Sequence, residues 1–189
     1  MKTILPLALS AFVFFTACNS DSKTAKDPEA QVKAVAAPVD PVAQKMQELS
    51  SLTPLGLDEL SSWLPAQLNG IKRTNLSMNT DMGYAMAHGD YEKNNKTDIR
   101  VTVYDCAGKA GADMYQTAYL NKMKDQADTV SYTKTIEFME GKAIEHHEQK
   151  NKVTTLTYMA DSRMLVVISA RNLEPESVRA MAKEIGKKS

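Results

Sequence analysis

Methionine and histidine side chains alternate along one short stretch of the chain. Met82, Met86 and His88 lie four and two positions apart, and because both separations are even, their side chains would project from one face of a β-strand. Thioether sulfur and imidazole nitrogen suit Cu(I), and the pattern therefore allows a copper-type metal site. Methionine also fills irregular gaps in apolar cores, which explains the same residues without a metal. We favour core packing and keep metal binding as the alternative.

Two adjacent histidines form a second candidate group. His146 and His147 are flanked by Glu145 and Glu148. Neighbours on a strand face opposite sides, so Glu145 would share a face with His147, and Glu148 with His146. The two imidazoles therefore cannot easily chelate one ion together, and we expect them on the surface or at a rim. Sensing of pH is the other use that histidine allows here.

Cys106 ends a predicted strand just before a helix. A helix N-terminus could activate its thiol, but no CxxC partner is present, so a buried, unreactive thiol is favoured. The chain also lacks a GxSxG elbow, a glycine-rich phosphate loop and an HExxH helix, and we expect no enzyme. Asp105 and Asp161 fit turn chemistry, while Arg163 could pair with an acidic neighbour.

The N-terminal residues predict export and lipid attachment. Lys2 and the apolar run from Ile4 to Phe15 precede Thr16-Ala17-Cys18, and small residues before a cysteine are typical of a cleavage site. We predict a lipoprotein signal peptide at 1–17, a flexible tether at 18–41 that begins at an acylated Cys18, and one domain at 42–189. The alternative is an unlipidated protein with a Cys18–Cys106 disulfide.

This organisation predicts a location and a class of partner. A lipid anchor would hold the protein to a membrane of the bacterial cell envelope, and Asn19 after the cysteine favours the periplasmic side of the outer membrane. The apolar run is too short to span a bilayer core of about 30 Å. The 23 basic and 23 acidic residues leave no positive excess for nucleic acid. We expect no cofactor, and an envelope protein, polymer or small ligand as the partner.

The remaining sequence predicts an α+β fold. Helical spacing at 42–49 and 57–64 is followed by strands with period two, a helix at 112–124, four more strands and a closing helix. Strands joined by short turns pair antiparallel. We therefore predict an antiparallel sheet of about five to seven strands covered by helices, as an α/β/α sandwich. The run 164–170 is apolar on both faces, which predicts a central strand.

Three stretches resemble a known pattern. Residues 64–73 (LPAQLNGIKR), 99–105 (IRVTVYD) and 162–167 (SRMLVV) are similar to the "LP…GxKR", "ItVtixD" and "xRfxVxV" segments of uncharacterised bacterial envelope lipoproteins. The resemblance covers residues 55–187 and implies the envelope location, but it implies no activity. The order of elements also resembles, more weakly, the PsbP-like α/β/α sandwich, a fold used for binding rather than for catalysis.

Overall fold

The computed structural model describes residues 40–94 and 97–186. The predicted signal peptide, the predicted acylation site at Cys18 and nearly all of the predicted tether lie outside these ranges. Within them, no helix has both the length and the apolar character needed to cross a membrane.

Helices occur at the two ends and in the middle of the described chain, with antiparallel strands between them. The helices are α1 (Pro41–Ser51), α2 (Leu57–Ser61), α3 (Gly108–Met114) and α4 (Pro175–Ala182). The strands are β1 (Gln67–Leu68), β2 (Ile71–Asn79), β3 (Met86–Asn94), β4 (Thr97–Asp105), β5 (Gln126–Ala127), β6 (Ser131–Phe138), β7 (Gly141–Glu148), β8 (Val153–Met159) and β9 (Met164–Arg171).

One antiparallel sheet contains all nine of these strands, in the order β1-β2-β3-β4-β9-β8-β7-β6-β5. The predicted mixed α+β class and the antiparallel sheet are confirmed. The predicted number of five to seven strands is wrong. The two additional strands, β1 and β5, have two residues each and lie at the edges, where so short a segment has no periodicity to detect.

The centre of the sheet is β9, with four strands on either side. Adjacent residues of β9 enter different apolar clusters: Leu165 packs in one and Val166 in the other, and both are buried. Because successive side chains of a strand point to opposite faces, both faces of β9 are covered at this point. The apolar run at 164–170 therefore predicted the central position correctly.

Each face of the sheet has its own apolar cluster. The larger cluster receives Leu60 of α2 and Val178 of α4, and we call its side the covered face. The smaller cluster receives Leu49 of α1 and Ala112 of α3 on the opposite side, around Leu165. Burial of these apolar side chains is the main force that holds the helices on the sheet.

Strand β3 differs from the prediction at its start. The strand begins at Met86, and Met82 lies in the preceding turn with 61% of its surface exposed. Core packing is therefore wrong for Met82. The small residues are the buried ones: Ala87 is fully buried, and a side chain at Gly89 would lie 3.4 Å from Leu64. Small side chains on this side of β3 allow the segment after α2 to pack closely against the strand.

Candidate binding face

The side of the sheet opposite α2 and α4 is only partly covered by helices. In the described part of the chain, the apolar contacts of α1 and α3 on this side gather around Leu165 and Ile144. Further from α1 and α3, two rows of mainly polar side chains cross the strands, and all of them are half-buried or exposed. The first row is His88, Thr102, Val167 and Thr157, and the second is Asn75, Asp90, Arg100, Ser169, Thr155, His146 and Thr133. We call these residues the open face.

Asp90 is the centre of a hydrogen-bond network at one end of the open face. His88 lies between two partners, with Nε2 3.0 Å from Asp90 Oδ1 and Nδ1 3.1 Å from Thr102 Oγ1. Arg100 Nε donates to Asp90 Oδ1 at 3.2 Å, and Asn75 Nδ2 donates to Oδ2 at 3.2 Å. Burial acts to raise the pKa of the Asp90 carboxyl, but these hydrogen bonds and the nearby His88 outweigh it and hold the pKa below its usual range.

The rest of the open face continues this polar pattern. Thr155 Oγ1 donates to Ser169 Oγ at 3.2 Å, and Thr133 Oγ1 lies 2.9 Å from His146 Nδ1. A pocket of about 510 Å³ lies beside Asp90 and Arg100, and one of about 500 Å³ lies beside His146. The open face thus offers hydroxyl groups, imidazoles and charges of both signs, with a pocket toward each end.

The predicted metal residues are only partly brought together. Met86 and His88 lie two residues apart on β3 and share a face, but Met82 lies in a turn, where its sulfur accepts from the Tyr84 hydroxyl at 3.2 Å. Both ring nitrogens of His88 already have protein partners. Among the described residues, no three His, Cys, Asp or Glu side chains are arranged to hold a metal ion. Copper binding by Met and His stays a prediction.

The two adjacent histidines lie on opposite faces of β7. His146 is on the open face beside Thr133. His147 is on the covered side, with Nδ1 2.9 Å from Thr154 Oγ1 and its ring 5.6 Å from that of Tyr132. The Tyr132 hydroxyl donates to Glu145, which places Glu145 and His147 on the same side, as strand geometry requires.

Cys106 is fully buried in the smaller apolar cluster. Burial raises the pKa of its thiol to about 12, far from the value that a reactive thiolate needs at neutral pH. The thiol forms no disulfide with any described residue. The alternative disulfide to Cys18 involves a residue outside the described ranges.

Asp105 and Arg163 form a buried ion pair at the end of β4. Arg163 Nε donates to Asp105 Oδ1 at 2.8 Å and Nη2 donates to Oδ2 at 2.6 Å. The hydrogen bond with this carboxylate raises the pKa of Arg163 above its ordinary value. The same carboxylate accepts from the backbone N–H of Leu55 and of Ala107. The predicted acidic partner of Arg163 is confirmed, and its role is to join three segments of the fold.

A second buried carboxylate escaped prediction. Glu145 is fully buried beneath α4, where it accepts from the Tyr132 hydroxyl at 3.0 Å and lies 3.2 Å from Lys134 Nζ. Arg179 of α4 pairs with the same carboxylate and also donates to Glu176 at 2.6 Å. A glutamate followed by two histidines on a strand is typical of an exposed segment at the rim of a sheet. The sequence therefore gave no sign that Glu145 is buried.

No relatives were found. Comparison of the chain with protein-family models, with curated proteins and with solved structures gave no match. The likeness to envelope lipoproteins and to the PsbP-like sandwich stays a prediction.

Proposed function

We propose that this protein is a lipid-anchored lipoprotein of the bacterial cell envelope, and that its α+β domain binds an envelope protein without catalysing a reaction. The acyl chains would be attached to Cys18, and residues 18–41 would connect them to the domain. The open face would contact the partner.

The observation that supports binding most is the open face itself. Seven strands contribute side chains to its second row, in the sheet order β2-β3-β4-β9-β8-β7-β6. Because neighbouring strands are about 4.8 Å apart, that row is about 29 Å long. A solvent-accessible strip of this length with hydroxyl groups and both signs of charge offers many directional contacts to a partner.

The size and chemistry of the open face favour a transient protein partner. The longer row is about 29 Å long and the two rows are about 7 Å apart. The area of the open face is therefore smaller than the roughly 800 Å² that each partner contributes to a stable complex. Asp90 and Arg100 present opposite charges side by side. Complementary charges of this kind select a partner and speed its association more than they strengthen binding.

The anchor is tested by metabolic labelling with a fatty acid. The full chain should incorporate labelled palmitate and fractionate with membranes, and Cys18→Ser should lose both properties. Incorporation that persists in Cys18→Ser would refute lipidation at this residue. A mature N-terminus at a position other than 18 would refute the predicted processing.

Binding is tested by lysine-reactive crosslinking in intact envelopes, followed by mass spectrometry of the adducts. We expect one protein partner to dominate with the full chain and to decrease with Cys18→Ser, because loss of the anchor lowers the local concentration. Adducts to envelope polymer alone would exclude a protein partner, and absence of any adduct would count against the binding function.

A further inference from the structure

A pocket of about 500 Å³ lies between the segment that follows α3 and strands β6–β8. Its volume is in the range of small-molecule sites. Ile144 and Ala118 give it an apolar part, and Thr133 and Thr157 contribute hydroxyl groups. The pocket can therefore contact both an apolar body and a polar group of one ligand.

The ionisable side chains in the wall of this pocket are basic. Among the described residues, Lys122, Lys124 and His146 line it, and no carboxylate does. Neither lysine forms an ion pair with a described residue, and among those residues His146 Nε2 has no hydrogen-bond partner, because the ring contacts Thr133 through Nδ1. Three groups able to donate a hydrogen bond to an anion thus border one cavity.

Two carboxylates in the connection after Lys124, those of Asp125 and Asp128, accept hydrogen bonds from backbone N–H groups. Asp125 Oδ1 accepts from Thr135 N–H at 2.7 Å. Asp128 Oδ1 accepts from the N–H groups of Val130 and Ser131 at 2.8 and 2.7 Å, and these bonds are the main reason that the pKa of Asp128 lies below its usual range. The backbone of β6 and of the residues just before it therefore holds both carboxylates in place, and Asp128 lies close enough to His146 to interact with it electrostatically.

The wall of the pocket is fixed to the sheet. After α3 the chain forms a π-helical segment, Tyr115–Tyr119, and then a 3-10 turn, Leu120–Lys122. The buried Tyr119 donates its hydroxyl to the carbonyl of Lys142 in β7 at 2.5 Å. π-Helical segments are rare and often occur at functional sites. Here the segment and the turn after it hold Ala118 and Lys122 over the strands.

We infer that this pocket binds a small organic anion, with a carboxylate or phosphate head group near Lys122, Lys124 and His146 and a short apolar body against Ile144. The inference deepens the proposed binding function, because the pocket lies at one end of the open face. A bound anion would then affect how this end of the open face contacts the protein partner.

The inference is tested with octanoate and octyl phosphate as probes, and octylammonium as a matched cation. Chemical shifts of the backbone amides are measured by NMR in the full chain without its signal peptide. We expect shifts at Lys122 and His146 with both anions, saturating in the millimolar range or below, and none there with the cation. Binding should weaken as salt is added, because exposed charges are screened.

Two pairs of substitutions separate the pocket from the general charge of the protein. Lys122→Gln with Lys124→Gln should weaken anion binding about tenfold or more, since hydrogen bonds to charged groups are lost. Lys72→Gln with Lys109→Gln removes the same charge from exposed positions outside the pocket and should change little.

Equal effects of the two pairs, shifts confined to other parts of the sheet, or no shifts with either anion would overturn the inference. Crosslinking to an envelope protein is measured independently. If it persists while anion binding fails, only the anionic ligand is refuted, and the proposed partner-binding function stands.

Discussion

Asp105→Asn should destabilise the domain strongly while changing its shape very little. The Asp105 carboxylate is fully buried and accepts four hydrogen bonds, two from Arg163 and one each from the N–H groups of Leu55 and Ala107. Asparagine has nearly the same volume but no charge, and its amide nitrogen cannot accept a hydrogen bond. Two of the four donors would lose their acceptor, and Arg163 would lose its counter-ion.

The expected cost follows from the burial of the pair. Breaking a buried ion pair by removing one charge costs about 3–5 kcal/mol. The Arg163 side chain is still 21% exposed and also donates to the carbonyl of Thr53 at 2.9 Å, so the lower end of this range, about 3 kcal/mol, applies. With an m-value of about 2 kcal/mol per molar urea, the unfolding midpoint should fall by about 1.5 M.

Equilibrium unfolding in urea measures this cost. Asp98→Asn is the matched control, because Asp98 pairs with Arg171 at 3.7 Å on an exposed part of the sheet, and its change should stay within about 0.5 kcal/mol. The double variant Asp105→Asn with Arg163→Met should be more stable than the sum of the two single effects predicts, by about 1 kcal/mol or more. A single-variant cost below about 1 kcal/mol, or strict additivity, would refute the reasoning.

Three further outcomes follow from the same geometry. The Cys106 thiol, with its pKa raised to about 12, should react with a thiol reagent more than about 100-fold more slowly in the folded protein than in urea; equal rates would contradict its burial. Gly111→Ala should cost about 1–3 kcal/mol in urea unfolding, because the new Cβ would lie 2.4 Å from the carbonyl carbon of Cys106. Gly141→Ala should change stability by less than about 0.5 kcal/mol, because apart from the chain neighbours of Gly141 no described atom lies within 4 Å of the new Cβ. The pKa of Asp90 is lowered in the folded state, so its stabilising contribution is present above the unfolded pKa of about 3.9 and is lost as pH falls below that value. The difference in stability between wild type and Asp90→Asn should therefore shrink from pH 5 to pH 3. A difference that grows in acid would contradict the hydrogen-bond network around Asp90.

Most of the fold could be predicted from long segments with a regular apolar period. The apolar run at 164–170 predicted the central strand because its side chains enter the apolar clusters on both sides of the sheet, Val166 on one side and Leu165 on the other. The alternation at Ile99, Val101 and Val103 predicted β4 as the hairpin partner of β3. Such patterns reflect burial on a sheet, which is the largest contribution to folding, so they are visible without the structure.

Several features had no periodic signal. The helix predicted at 112–124 is α-helical only as far as Met114, after which the chain forms π-helical and 3-10 turns. Contacts with the sheet, such as that of Tyr119 with Lys142, decide the local geometry there. Glutamate is a residue type that is usually exposed, and the burial of Glu145 depends on partners that are not its neighbours in sequence: Arg179 on α4, with Tyr132 and Lys134 on β6.

The candidate site was predicted less completely than the fold. His88 and His146 were singled out as single residues, but their positions on one face depend on the strand order β3-β4-β9-β8-β7. That order places segments far apart in sequence side by side, and the spacing of residues along the chain does not contain it. The open face therefore became visible only with the register of all seven longer strands.

The central claim, that the open face of an anchored domain contacts an envelope protein, is tested most directly by site-specific photo-crosslinking in living cells. A photo-reactive amino acid is placed at Thr155 in the middle of the open face, and in a second strain at Ser177 on α4, which is also half-buried but lies over the covered face. The account predicts one dominant protein adduct from position 155 and little or none from position 177. Equal adducts from the two positions, or an adduct from position 177 alone, would contradict it.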